Sequence, residues 1–260
     1  MKHSFIKYLE KPAFTNPILI VGLPGVGDIG KFAAEHLIKQ LNAKKLGVLY
    51  SPHFPYHVLV SENGVIRLLN NEFFYYISQH GKNDLIILNG DYQSQTIFGQ
   101  YEVADLILEL CKDFNVKKII SIGGYATGNI EEHPKIFGAV NHASLNNLLK
   151  ELAVEPCDIG SPIVGAVGLL VGLARFHNID GICILGETPG YIVDPRCARI
   201  ILSKILPYLK LEIDLSELDI KDQEIKEKTD KIQDLEKEEG IIQKLKEKFI
   251  PNKEDLSYFG

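Results

Sequence analysis

The sequence has no cluster of Lys and Arg, no CxxC pair, no GxSxG and no apolar run of membrane length, and each absence removes a class of function. Without clustered cations there is no footprint for a phosphate backbone, because counterion release depends on them. The formal net charge is −6, and from Lys210 onward 15 acidic residues stand against 10 lysines, so −5 of it lies in that last segment. The preceding body is nearly neutral, and nucleic acid is not an expected partner. Cys111, Cys157, Cys183 and Cys197 are far apart, which reads as small buried hydrophobes in a reducing compartment. The longest nearly apolar stretch, 162–174, has 13 residues, whereas a membrane span needs about 20. It is expected to be a buried helix. Residues 1–11 alternate charged and apolar side chains without the apolar run of a signal peptide. The expectation is a soluble, cytoplasmic protein with no membrane partner.

What is present is a core-forming composition, 45% hydrophobic over 260 residues. Short β-branched runs at 17–21, 46–50, 84–88, 118–122 and 181–185 read as strands. Segments of helical period at 31–41, 101–114, 144–152, 164–176 and 195–209 separate most of them. Residues 58–60 and 65–69 flank a turn at 61–64 and predict a hairpin. Strands alternating with helices imply an α/β fold, mostly a parallel sheet with helices on both faces and functional loops at the strands' carboxyl ends.

The expected division is a body over 1–211, a charged helical tail over 212–250 and a flexible docking segment over 251–260. In the tail, Leu218, Ile225 and Ile232 recur every seven residues, as do Leu235, Ile242 and Phe249, while Glu239 interrupts the first seam. Three readings stay open: a solvated helix on the body, an intersubunit coiled coil, and a disordered tail.

Gly25, Gly27 and Gly30 fit GxGxxG between a strand and a helix, the setting of a dinucleotide turn. The acidic residue expected after the second strand is missing, since 46–50 runs into Ser51 and Pro52. A tight packing turn is the favoured reading, with no cofactor. No Walker A Lys and Ser/Thr pair follows. His53 and His57 form the one close histidine pair, but Phe54 and Pro55 lie between them and no third ligand is near, so no metal is expected. Ser161 suits a helix entrance better than a nucleophile. Asp91, Glu187 and Asp194 stand at strand ends, where turn and cap duties explain them and a catalytic carboxylate is the alternative. Gly165, Gly168 and Gly172 point to close helix packing or a subunit interface.

Four segments, 17–30 (PILIVGLPGVGDIG), 123–128 (GGYATG), 165–175 (GAVGLLVGLAR) and 186–191 (GETPGY), together resemble the proteasome assembly chaperone family of PAC2 type, in particular its archaeal members. The likeness covers most of 14–211. It implies a fold similar to nucleoside phosphorylases without their activity or any catalytic residue. It also implies homo-oligomers and binding to the α subunits of the 20S proteasome, in some members through a terminal hydrophobic, tyrosine, any-residue tripeptide. In this sequence Tyr258 falls at the hydrophobic position, Phe259 at the tyrosine position and Gly260 last. Two alternatives remain: a scaffold that binds a paralogous assembly factor, and a nucleotide- or nucleoside-handling enzyme using the 25–30 turn with Asp91 or Glu187.

Overall fold

The computed structural model describes residues 1–78 and 83–239; Tyr258, Phe259, Gly260 and the seam positions Ile242 and Phe249 lie outside the described residues. The chain runs through β1 (Phe5–Tyr8), β2 (Ile18–Val21), a single 3-10 turn (Val26–Asp28), α1 (Ile29–Gln40), β3 (Lys44–Tyr50), β4 (Val58–Val60), β5 (Ile66–Leu68), β6 (Asn71–Tyr76) and β7 (Leu85–Gly90). It continues through α2 (Ile97–Asp113), β8 (Lys118–Ala126), β9 (Ile136–Val140), α3 (Asn146–Glu151), β10 (Glu155–Pro156), α4 (Ala166–Ala174), β11 (Asp180–Thr188), α5 (Pro195–Leu209) and α6 (Ser216–Glu239).

Nine strands form one sheet in the order β1-β3-β6-β7-β2-β8-β11-β9-β10. Its centre, β7-β2-β8-β11, is parallel as the alternating pattern requires. The pairs β1–β3, β3–β6, β6–β7 and β11–β9 are antiparallel, and only the short β10 returns to a parallel pairing, so the sheet as a whole is mixed. Both faces are covered. In β2, Leu19 and Val21 join a core with α2 and α4, while Ile18 and Ile20 join the opposite core with α1, α3 and α5. That two-sided burial is why the central strands read as continuous apolar runs. Leu19 and Ile20 are both 0% exposed, and burying each stabilises the fold by about 1.5–3 kcal/mol before ordering entropy is counted.

The apolar stretch 162–174 differs from its expectation. Only Ala166–Ala174 is helical, and Gly165 at φ 87° is its N-cap. Val164, 79% exposed, lies on the loop before it.

The chain divides into two compact units, Met1–Asp219 and from Ile220 onward. The first turn of α6 belongs to the first unit. Leu218 is fully buried in the core beneath α1 and α5. Lys39 pairs with Glu217 at 2.7 Å, Arg199 with Asp219 at 2.8 Å, and His36 Nε2 lies 2.7 Å from the Asp214 carbonyl oxygen. Asp214 accepts from the Ser216 amide and hydroxyl, starting the helix. The second unit carries a helix surface of charge, with a Lys226–Asp222 pair at 2.7 Å and the Thr229 hydroxyl donating to the Ile225 carbonyl. Among the described residues no helix is long and apolar enough to cross a membrane.

Candidate functional site

The four parallel strands end side by side, and the chain leaving three of them is a glycine segment read from the sequence. β2 enters 22–30, β8 includes and leaves through 123–128, β11 ends within 186–191, and β7 leads to Asp91 and Gln93. Open α/β sheets use this edge for ligands. Here protein groups fill the close approaches that glycine permits. A Cβ on Gly30 would stand 2.3 Å from the Ile122 carbonyl oxygen, and one on Gly124 would stand 2.3 Å from that of Val26. The start of α1 therefore lies directly on the backbone of β8. The Gly27 carbonyl accepts from the Asp194 amide at 2.8 Å, and the Gly25 amide donates to the Asp28 carboxylate at 3.2 Å.

Gln93 joins two of these loops. Its amide nitrogen donates to the Pro24 carbonyl at 2.7 Å, and its amide oxygen accepts from the Ala166 N–H at 2.8 Å. The second bond serves an amide of the first turn of α4, which has no side-chain cap of its own. No local pattern marks this role, because nothing near Gln93 in the chain distinguishes a glutamine that bonds two distant backbones.

The three carboxylates each have structural partners. Asp91 accepts both guanidinium nitrogens of Arg67, at 2.5 and 2.9 Å, and the Asn70 amide at 3.0 Å. Burial pushes its pKa up, but the Arg67 fork and the Asn70 N–H outweigh burial and hold it below the usual carboxylate range. Glu187 accepts from the Lys135 amide at 2.8 Å, tying β11 to the segment before β9. Asp194, buried, accepts from the Cys197 amide at 2.9 Å and is the N-cap of α5. Asp194 alone has the cap duty expected of it; Asp91 and Glu187 instead tie together segments distant in the sequence.

Ser161 does not cap α4: that helix starts later, and Ser161 donates its amide to Asp158 within the loop. His53 and His57 face different neighbours. His53 lies 3.1 Å from the Thr96 hydroxyl and 3.4 Å from Glu102, whereas His57 packs edge-on against Tyr92. Among the described residues no three His, Cys, Asp or Glu side chains form a metal-binding group. Cys111, Cys183 and Cys197 are buried, and burial pushes their thiols well above the ordinary range; Cys157 is half-buried and raised for the same first reason. In the 165–172 series, a Cβ on Gly168 would meet Ile163 at 2.7 Å, so that glycine packs within the chain, while Gly172 is open.

A doubly covered sheet with backbone-packed glycine turns at its parallel edge is the class this geometry defines. The sequence model of the PAC2 family matches residues 19–233, and the chain belongs to that family, as the four glycine segments implied. Pyrococcus furiosus PbaB, described as an archaeal proteasome activator, is 42% identical with a TM-score of 0.85, over 90% of this chain and 100% of that one. Pyrococcus furiosus PbaA, described as an archaeal homolog of proteasome-assembly chaperone, is 27% identical with a TM-score of 0.75, over 96% and 100%. Uncharacterized protein MJ1210 of Methanocaldococcus jannaschii is 34% identical over 245 residues, 94% of this chain and 93% of that protein.

Proposed function

We propose that this chain is a non-enzymatic, cytoplasmic chaperone or adaptor that works as a homo-oligomer and binds the 20S proteasome α-ring through Tyr258, Phe259 and Gly260. The observation that carries the reading is the 42% identity to an archaeal proteasome activator across 90% of this chain. The body, 1–211, serves as platform, the charged segment 212–250 as spacer and 251–260 as docking end. The described part of α6 has 24 residues, a reach of about 36 Å at the helical rise.

Phe259 stands where the family tripeptide has tyrosine. A pocket built to bond a hydroxyl is then left with an unpaired group, at a cost of about 1–3 kcal/mol. Each contact is accordingly weak, and several tails on one oligomer compensate by raising the effective concentration of the next. A pull-down of 20S particles by the intact chain, and by one lacking Tyr258–Gly260, tests this. Capture by the intact chain alone supports it; equal capture removes the tail mechanism, and no capture by either removes the partner in favour of a paralogous assembly factor.

A further inference from the structure

At the amino ends of β8 and β11, away from the glycine turns, two helices finish side by side. The strands pair in parallel from Lys118 with Asp180 onward, and the Asp180 amide donates to the Lys117 carbonyl at 3.0 Å. Each incoming helix is closed by an asparagine in the left-handed region. Asn115, at φ 62°, follows α2, and Asn178, at φ 55°, follows the 3-10 turn Arg175–His177 that continues α4. Between the two turns lies a cavity of about 280 Å³, close to the lower end of small-molecule sites at roughly 300 Å³. Buried Val116 and Ile179 form its apolar floor, and Phe176 stands beside them 82% exposed. Lys112, Lys117 and His177 bring ammonium and ring N–H groups to it, and no carboxylate is among the residues that line it.

We propose that this cavity binds a small organic anion with a flat apolar body, its head held by Lys112 and Lys117 and its body against Phe176, Val116 and Ile179. Cations in a helix's last turn complement its dipole, which is a sufficient duty for Lys112 and His177. Lys117 lies beyond the turn that ends α2 and has no such duty. Among the described residues neither lysine's ammonium group has an ion pair or hydrogen bond, whereas Lys39 and Lys45 each hold a glutamate at 2.7 Å. The helix ends do not occupy these donors either, because the carbonyls of Leu110, Cys111, Lys112, Ala174 and Arg175 already accept amides of their own turns. Of the neighbouring carboxylates, Asp113 accepts from the Tyr8 hydroxyl at 3.5 Å, and Asp180 is outside the lining. An apolar floor with a few convergent polar groups is the usual makeup of a ligand pocket. A bare inorganic ion would leave that floor and the Phe176 ring uncovered, and a neutral hydrocarbon would leave both lysines unpaired. The site is independent of the proteasome reading and is measured with no proteasome present.

The test is isothermal titration calorimetry of the full chain with phenyl phosphate, with inorganic phosphate as the head alone and benzyl alcohol as the body alone. Phenyl phosphate should bind more tightly than either fragment, and more weakly as ionic strength rises. In a Lys112→Glu, Lys117→Glu double variant its affinity should fall at least about tenfold, because attraction at the head becomes repulsion. The ligand-free melting temperature verifies the fold. Lys44→Glu with Lys150→Glu, two exposed positions elsewhere, makes the same change in net charge and should bind as the wild type does. Phe176→Ser, at a side chain open to water, should reduce the preference for phenyl phosphate over inorganic phosphate, and it carries the test alone if the double variant does not fold. No binding of phenyl phosphate, inorganic phosphate bound as tightly, an equal loss in the control pair, or unchanged affinity in either cavity variant would each overturn the proposal.

Discussion

Where α1 leaves the glycine turn, the backbone of Gly30 lies so near β8 that a methyl group there would stand 2.3 Å from the Ile122 carbonyl oxygen. The obstacle is backbone, which cannot rotate away. Gly30→Ala is therefore expected to destabilise by about 1–3 kcal/mol, the cost of overpacking, read as a lower urea midpoint. Unchanged stability would mean that the close approach does not matter. At Asp91 the argument concerns protons. Its folded pKa is depressed, so its contribution to stability is present above the unfolded value of about 3.9 and is lost as pH falls through the lower folded value. Below about pH 4, the wild type should lose stability more steeply than Asp91→Asn; equal acid slopes in denaturation would contradict the Arg67 pairing. The GxGxxG pattern was legible from sequence, and so was its use in packing. Gln93 and the Arg67 fork were not, because both act across distances of chain that no local pattern records.

At the scale of elements, α5 is found where the sequence places it, 195–209, because Asp194 caps its first turn, Pro195 opens it and Lys210 closes it in the left-handed region. The hairpin around 61–64 was equally legible. Strands β6 and β9 were not read. β6 opens with Asn71 and Glu72, and β9 contains Gly138, a position where a Cβ would meet Leu149 at 2.6 Å. Polar or glycine residues required by packing hide the period that would announce a strand. The same holds at the start of α6, where a charged composition conceals Leu218, fully buried. Leu218→Ala should cost about 2–5 kcal/mol, measured by thermal unfolding. A change within error would show that the first turn of α6 is not part of the body.

For the whole molecule, charge and apolar surface are separated along the chain. The body is nearly neutral and carries exposed aliphatic side chains on its hairpin, whereas the segment from Lys210 holds −5 of the −6 net charge and ends in Tyr258, Phe259 and Gly260. The central claim is that those last residues contact the proteasome. It is tested most directly by a binding isotherm of the intact chain on 20S particles beside one lacking Tyr258–Gly260, at matched concentration and salt. Loss of three anchoring residues at each of several tails predicts a fall in apparent affinity of at least tenfold, or about 1.4 kcal/mol. Superimposable isotherms would contradict the account.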